Sequence, residues 1–351
     1  MGADPGPACY CQGGTSATVT DANVVLGYLH PEHLLGGRKK INREAACEAI
    51  ERKIARPLGI DLWKAAHGIL TIVNNSMIGA LKLVSVERGY DPRDFALLAF
   101  GGAGPLHATA LARELGIKDI IVPDRPGILC AMGLLTVDRR FDVVRTAITS
   151  LQEASSEVIN TIWAELDAQA VAWLDQEEVP PGQRRLERAI DARYRGQNYE
   201  LTLSGATGRW NHETLLEFTK RFHDLHDRTY GFHSKHAVVQ FINFRAIAYG
   251  VMPKPTVSRQ KNVGGDIATA RIGERQVSWD PGAPLLSTPV YARHQLKPGQ
   301  TIVGPAILEQ MDATTVLGPG ERATVDGYSN LIVNPSTIRE RQNGIEIAGG
   351  L

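Results

Sequence analysis

At 351 residues the chain is long enough for two or three domains of roughly 100–200 residues each, and 43% hydrophobic residues are enough for real cores. Lys plus Arg equals Asp plus Glu, 38 of each, so no net field draws the protein to nucleic acid or to a membrane surface. No apolar run approaches the ~20 residues of a membrane span, MGADPGPACY lacks the apolar stretch of a signal peptide, and Cys9, Cys11, Cys47 and Cys130 are sparse, a combination expected of a reducing cytoplasm.

The opening residues, through Tyr10, are loop chemistry, followed by Gly13-Gly14-Thr15 and by Thr20-Asp21-Ala22-Asn23. Asp21 is placed to cap a helix over Val24–Leu29. Asp4 and Asp21 are candidate functional carboxylates; the competing readings are a turn residue and an N-cap. A helix is expected over Asn42–Leu58, with Asn42 as cap and Pro57 and Gly59 as terminators. A longer one is expected from Leu62 to about Arg88, with Ala66, Ile69, Leu70, Val73, Met77, Leu81 and Val84 at helical spacing. Asn74 and Asn75 fall inside it, facing either solvent or a ligand.

The stretch Phe95–Val122, FALLAFGGAGPLHATALARELGIKDIIV, organises the rest. An apolar run, Phe95–Phe100, has the character of a strand inside a sheet. Gly101-Gly102-Ala103-Gly104-Pro105 breaks it, and Pro105 suits the first turn of a helix. That helix is expected to run to Leu115 and stop at Gly116, ahead of a second strand, Ile117–Val122. Glycines at such a turn let a planar or anionic ligand approach the backbone. The pattern is neither a P-loop nor G-x-G-x-x-G, so spacing alone leaves a plain tight turn open. His107, just after it, either approaches a ligand or packs locally.

Beyond it, Pro126-Gly127 turns into an apolar segment, Ile128–Val137. A helix is expected over Leu151–Val179, stopped by Pro180-Pro181. Strands follow within Leu186–Leu203, broken at Gly196–Asn198, then a helix over Thr214–Thr229 and a strand over Val238–Tyr249. Pro253 and Pro255 mark a subdomain edge. Thr301–Glu309, Thr314–Leu317 and Arg322–Val325 are expected to form a meander or small barrel, and the polar tail Ser336–Leu351 to fray. His223, His226, His233 and His236 lack the H-E-x-x-H pattern of a zinc site, which favours surface or interface histidines over metal ligands.

In order, GADPGPACY, TVTDANVVLG, DPRDFALLAFGGAGPLHA, RYRGQNYEL and VGPAILEQMDATTVLGPG resemble the hydantoinase A/5-oxoprolinase family, from Gly2 to about Val333. That family also includes the large subunits of acetone and acetophenone carboxylases. The resemblance implies an α/β fold: an incomplete actin/sugar-kinase-like (ribonuclease H-like) ATPase lobe, then an α+β region, then a β-rich C-terminal domain. The expected boundaries are 1–145, 146–255 and 256–335, with 336–351 as tail. It implies ATP and Mg²⁺ as cofactors, opening of small cyclic amides (hydantoins, 5-oxoproline, lactams), and a hydantoinase B-type partner subunit. Gly101, Gly102, Ala103, Gly104 and Pro105 match the family's adenosine-side turn. Asp4, Asp21, Asn23 and His107 become active-site neighbours, with no catalytic residue or metal ligand assigned. The family's Asp-x-Gly-Gly-Thr phosphate motifs are missing, so the chain is expected to be a C-terminal half that needs an N-terminal half. The alternatives are a non-catalytic assembly module and part of a carboxylase subunit. Two smaller departures are Cys11-Gln12, where the family has Gly-Arg, and Ala313, where it often has serine.

Overall fold

The computed structural model describes Gly2 and residues 4–150, 153, 155–205, 208–234 and 236–335; the expected fraying tail, Ser336–Leu351, lies outside the described residues. The chain divides into two compact units, one made of Met1–Met132 with Thr256–Leu351, the other of Gly133–Pro255.

In the first unit, helix α1 covers Val19–Leu26, earlier than expected. Thr18, not Asp21, is its N-cap: the Thr18 hydroxyl accepts from the Asp21 amide at 3.2 Å, and the Asp21 carboxylate accepts from the Thr18 amide at 2.9 Å. This reciprocal box needs the acid at the third helical position. Gly27 ends α1 at φ 84°, where a Cβ would lie 2.4 Å from the Gln276 carbonyl oxygen, so a side chain has neither the backbone angle nor the room.

Asn42 caps α2, Arg43–Ile50, which continues through a wide turn, Glu51–Ala55, to Leu58. Helix α3 spans Leu62–Val84, capped by Asp61. Its first half packs Ala65, Ala66 and Leu70 into the core of α1 and α2. Its second half sends Met77, Ile78 and Leu81 to the glycine-turn helix. Contrary to the expectation from sequence, this helix is long and apolar enough to cross a membrane by length and composition, yet only 11% of its most apolar window is buried. The two lysines, Lys64 and Lys82, sit near its ends and leave the middle uncharged.

The glycine turn forms as expected: strand β1 (Leu97–Leu98), helix α4 (Gly104–Leu115), Gly116 at φ 69°, and strand β2 (Ile120–Val122). The expected interior strand is instead an edge. Strand β1 lies outermost in its sheet, parallel to β2, and Phe95, Leu98 and Phe100 are about half exposed. An apolar run states a need for burial, not the presence of a cover.

In the second unit lie β3 (Arg139–Ser150), α5 (Ser156–Gln176), β4 (Arg184–Tyr194), β5 (Leu201–Ser204), α6 (His212–Tyr230) and β6 (Val239–Gly250). The sheet order is β3-β6-β4-β5, antiparallel throughout. Trp163, Leu166 and Phe222 from the helices meet Ile190, Phe241 and Phe244 from the sheet. The helical histidines have partners inside this unit. His223 Nδ1 lies 2.6 Å from the Tyr194 hydroxyl; His226 donates to the Phe232 carbonyl at 2.7 Å and accepts from Gln197 at 3.1 Å.

On the other sheet face Asp191 is buried. It accepts from Arg245 at 2.7 and 2.9 Å, Asn243 at 2.9 Å and Thr202 at 2.7 Å. Burial pushes its carboxyl up, but the Arg245, Thr202 and Asn243 donors outweigh that and hold it below the usual carboxylate range. A folded-state pKa below the unfolded value gives stability that is present above about pH 4 and lost as pH falls through the folded value. Asp191→Asn is therefore expected to cost about 1–3 kcal/mol at pH 7 and to flatten the acid limb of a stability–pH curve measured by urea unfolding. An acid limb of unchanged steepness would rule the pairing out as its source.

The chain returns to the first unit with β7 (Arg271–Val277), β8 (Leu286–Ala292), β9 (Thr301–Val303), β10 (Ala306–Glu309), β11 (Thr314–Leu317), β12 (Arg322–Val325) and β13 (Leu331–Asn334). These do not make a meander of their own. They divide between two sheets, β11-β10-β8-β7 and β9-β12-β13-β2-β1. Strand β13 pairs antiparallel with β2, Leu331 opposite Val122 and Val333 opposite Ile120, and all four side chains are fully buried. The segment expected as a separate C-terminal domain thus shares a core with the glycine turn. Arg113 of α4 reaches Glu321, a fully buried carboxylate that also accepts from the Gly318 amide at 2.6 Å.

Candidate functional site

A cavity of about 620 Å³ opens in the first unit. Tyr10 comes to its wall from the opening loop, Asn23 from α1, Gly102 and Ala103 from the glycine turn, and residues 309–314 from the β10–β11 connection. Four of the five segments singled out in the sequence therefore meet at one place, although they are spread over 300 positions of the numbering. RYRGQNYEL is the exception and belongs to the second unit.

The turn residues divide by role. Gly102 and Ala103 line the cavity. Gly101 does not; at φ 79° it turns the chain, and its amide donates to the Pro126 carbonyl at 2.8 Å. Gly104 and Pro105 open α4, with Pro105 buried. A Cβ on Gly102 would stand 3.3 Å from the Asp312 carbonyl oxygen, so the turn and the 309–314 segment are in close backbone contact.

The four expected neighbours also divide. Asn23 is in the wall and almost fully buried. Its Nδ2 donates to the Val19 carbonyl at 3.0 Å, while its Oδ1 is buried with no partner among the described residues. An acceptor so placed lacks only a donor. Asp21 is absent from the wall and its carboxylate is fully engaged: Ala8 N at 3.2 Å, Cys9 N at 2.8 Å, Thr18 N at 2.9 Å and Thr18 Oγ1 at 2.7 Å. Asp4 is exposed and away from the cavity lining. His107 lies behind the turn, where Nδ1 donates to Asn74 Oδ1 at 2.9 Å; burial pulls its pKa below the usual imidazole range. Local packing, one of the two readings open for it, is where its ring is used, and Asn74 turns inward to meet it.

Several wall residues escaped the sequence. Asp312 accepts from the Gly127 amide at 2.9 Å and from Gln310 at 2.8 Å, which pins the 309–314 segment beside the turn. A Cβ on Gly127 would collide with that carboxylate at 2.5 Å. His30 and His33 stack with ring centroids 3.5 Å apart. Burial, then the neighbouring His33, lowers the His30 pKa, and its Nδ1 accepts from the Glu32 amide at 3.2 Å. The available signals were Gln310 and Asp312 standing between two apolar strands and their place in the VGPAILEQMDATTVLGPG segment.

The described residues that line the cavity include no Lys or Arg, and Glu309 is already paired with Arg275. The nearest cation to Tyr10 is Lys39, 3.7 Å above its ring and 3.4 Å from Gln12 Oε1, supplied by a different segment from Cys11-Gln12. A largely apolar wall and two residues of bare turn fit a flat ring. They do not fit three phosphates, which need convergent cations or amides.

Comparison with known proteins bears on the same segments. The family pattern described as Hydantoinase/oxoprolinase matches residues 1–143, and the one described as Hydantoinase/oxoprolinase C-terminal domain matches residues 146–333. The caprolactamase subunit alpha of Pseudomonas jessenii is 34% identical over 338 residues, covering 95% of this chain and 48% of that one. The crystal structure of the ATP-dependent caprolactamase from that organism superposes with a TM-score of 0.74 at 33% identity, over 96% of this chain and 49% of its own. The nucleotide-free structure of acetone carboxylase superposes with a TM-score of 0.85 at 24% identity, over 94% of this chain and 48% of its own, a likeness of fold. The chain spans about half the length of these relatives.

Proposed function

The chain belongs to the hydantoinase/oxoprolinase family, and from that premise we propose that it supplies the nucleoside-side wall of an ATP-dependent enzyme that opens small cyclic amides. The observation that carries this reading is the convergence of Tyr10, Asn23, Gly102 and the 309–314 segment on one cavity suited to a flat ring. In this reading the first unit contributes part of an actin/sugar-kinase-like ATPase lobe working in the cytoplasm. A second half of the enzyme completes the phosphate and Mg²⁺ site, and a hydantoinase B-type subunit is the further partner.

A ring amide is resonance-stabilised and a poor electrophile, and bound ATP would supply the phosphoryl group that turns its oxygen into a leaving group. The residues of this chain act on the other end of the nucleotide. Asn23 would lie beside the base, and the backbone of Gly102 and Ala103 would lie against the ring and exclude water. Orientation of this kind lowers the barrier by fixing the in-line geometry. Phosphate clamping would come from outside this cavity, because its described lining holds no Lys or Arg.

The test is calorimetric titration with ATP and Mg²⁺ of the chain combined with a complementing N-terminal half. Gly102→Ala, whose Cβ stands 3.3 Å from the Asp312 carbonyl oxygen so that the turn must give by a few tenths of an ångström, is expected to weaken ATP binding about tenfold in a chain that still folds. Valine adds two further carbons at the same tight contact and would test the turn itself. Unchanged affinity in the alanine variant would move the nucleotide elsewhere. Micromolar binding of Mg·ATP by the chain alone would remove the need for a second half.

A further inference from the structure

Helices α3 and α4 meet largely through apolar side chains. Met77, Ile78 and Leu81 on α3 share a core with Ala108, Leu111 and Ala112 on α4. Contacts of this kind gain energy from area and set no direction of their own. One polar bond lies among them. Asn74 stands on the same face of α3 as Met77, Ile78 and Leu81, three, four and seven positions before them. Its Oδ1 accepts the Nδ1 proton of His107 at 2.9 Å. His107 is only 6% exposed, and burial holds its pKa below the usual imidazole range, which keeps the ring neutral at pH 7.

Each member of this pair is unfavourable without the other. Asparagine is a poor residue for the middle of a helix, and a buried imidazole must find an acceptor for its N–H. Together they place a directional bond inside an otherwise apolar contact, the device that best fixes register between helices. The residue before His107 is Leu106, which lines the cavity, as do Gly102 and Ala103 just upstream. One step along a helix is a rotation of about 100°. The bond that turns His107 onto α3 therefore turns Leu106 toward the cavity.

We propose that His107 and Asn74 are positioning residues for the glycine turn: their bond sets the rotation of α4 on α3, and so holds the Gly102–Ala103 backbone and Leu106 at the cavity wall. Neither residue lines the cavity itself; both act through the helix. The proposal rests on the reading that a nucleotide base lies against that wall.

The test removes the bond without stranding a buried polar atom. His107→Leu with Asn74→Ala keeps the combined side-chain volume close to the original, and replacing both partners of a hydrogen bond by apolar groups is nearly neutral for stability. Two measurements are made on this variant: amide hydrogen exchange in the full chain, and calorimetric ATP binding by the chain combined with a complementing N-terminal half. The reporters of exchange are the amides of Gly101 and Leu106, bonded to the Pro126 and Ala103 carbonyls at 2.8 and 3.1 Å. They are expected to exchange about tenfold faster than in the parent chain, with a nearly unchanged melting temperature. ATP affinity is expected to fall about tenfold. Asn74→Ala alone, which alters no residue of α4, is expected to show both losses, and Asn74→Asp, which keeps an acceptor opposite Nδ1, to show neither. These single variants decide the matter even where the double variant folds poorly. Unchanged exchange at Gly101 and Leu106, or faster exchange with unchanged ATP affinity, would overturn the proposal. So would an Asn74→Asp chain that behaves like Asn74→Ala, since the bond would then not be the cause. A parent combination that binds no ATP would sink the functional reading instead, and the exchange rates alone would then decide whether the bond holds the turn.

Discussion

Asp21→Ala is expected to destabilise the first unit by about 4 kcal/mol, the sum of several buried donors losing a charged acceptor worth about 1.5–3 kcal/mol each, tempered by relaxation of the loop. The carboxylate is fully buried and receives the amides of Ala8, Cys9 and Thr18 and the Thr18 hydroxyl. It therefore ties the opening loop to the start of α1, and through α1 holds Tyr10 and Asn23 at the cavity wall. Thermal unfolding followed by circular dichroism should show a fall of roughly 8–16 °C, from about 2–4 °C per kcal/mol for a unit of this size. Asp21→Asn keeps an acceptor but presents N–H to groups that are themselves donors, so it should fall in between. A loss under about 1 kcal/mol for alanine would mean that the loop is held by something else. The buried Cys9 thiol beside this carboxylate, its pKa raised first by burial and then by Asp21, is expected to stay inert throughout.

The second large effect is expected at Glu321. Glu321→Ala removes a carboxylate that the protein buries completely, leaving the Arg113 guanidinium without its counter-charge and the Gly318 amide without its acceptor. Breaking one side of such a pair costs about 3–5 kcal/mol. The pair can also be removed whole. Arg113→Met with Glu321→Met is expected to regain at least half of that loss, because the desolvation of both charges disappears with them. Urea unfolding of the two single variants and the double variant measures the coupling. A double variant as unstable as the sum of the singles would show that the two residues do not act on each other.

The glycine turn was legible because its signals are local: Pro105 opens α4, and Gly116 closes it at φ 69°. The edge position of β1 was not, since Phe95–Phe100 has the composition of a covered strand whether or not the covering layer is present. The role of Asp312 was hidden for another reason: its partner is the amide of Gly127, 185 positions away, and nothing near either residue announces the other. Asp21 was half legible. Threonine three places before an acid is a readable cap signal, but the additional hold on Ala8 and Cys9 depends on how the loop folds back. The strands after Thr301 were recognisable as strands and misassigned as a group, because pairing of Leu331 with Val122 is fixed by shared burial and not by proximity along the chain.

The second unit, Gly133–Pro255, is an insertion within the first. As the polypeptide leaves the ribosome, Ile120 and Val122 emerge long before Leu331 and Val333, the residues they must pair with. The inserted unit, whose strands all come from its own continuous stretch, can therefore close first. Until the last strands arrive, the glycine turn waits with its sheet unfinished, at the cost of a long loop closure. Synthesis halted after Pro255 would release a finished insert attached to an unfinished host, and the cavity, which draws on residues 309–314, would not exist in that product.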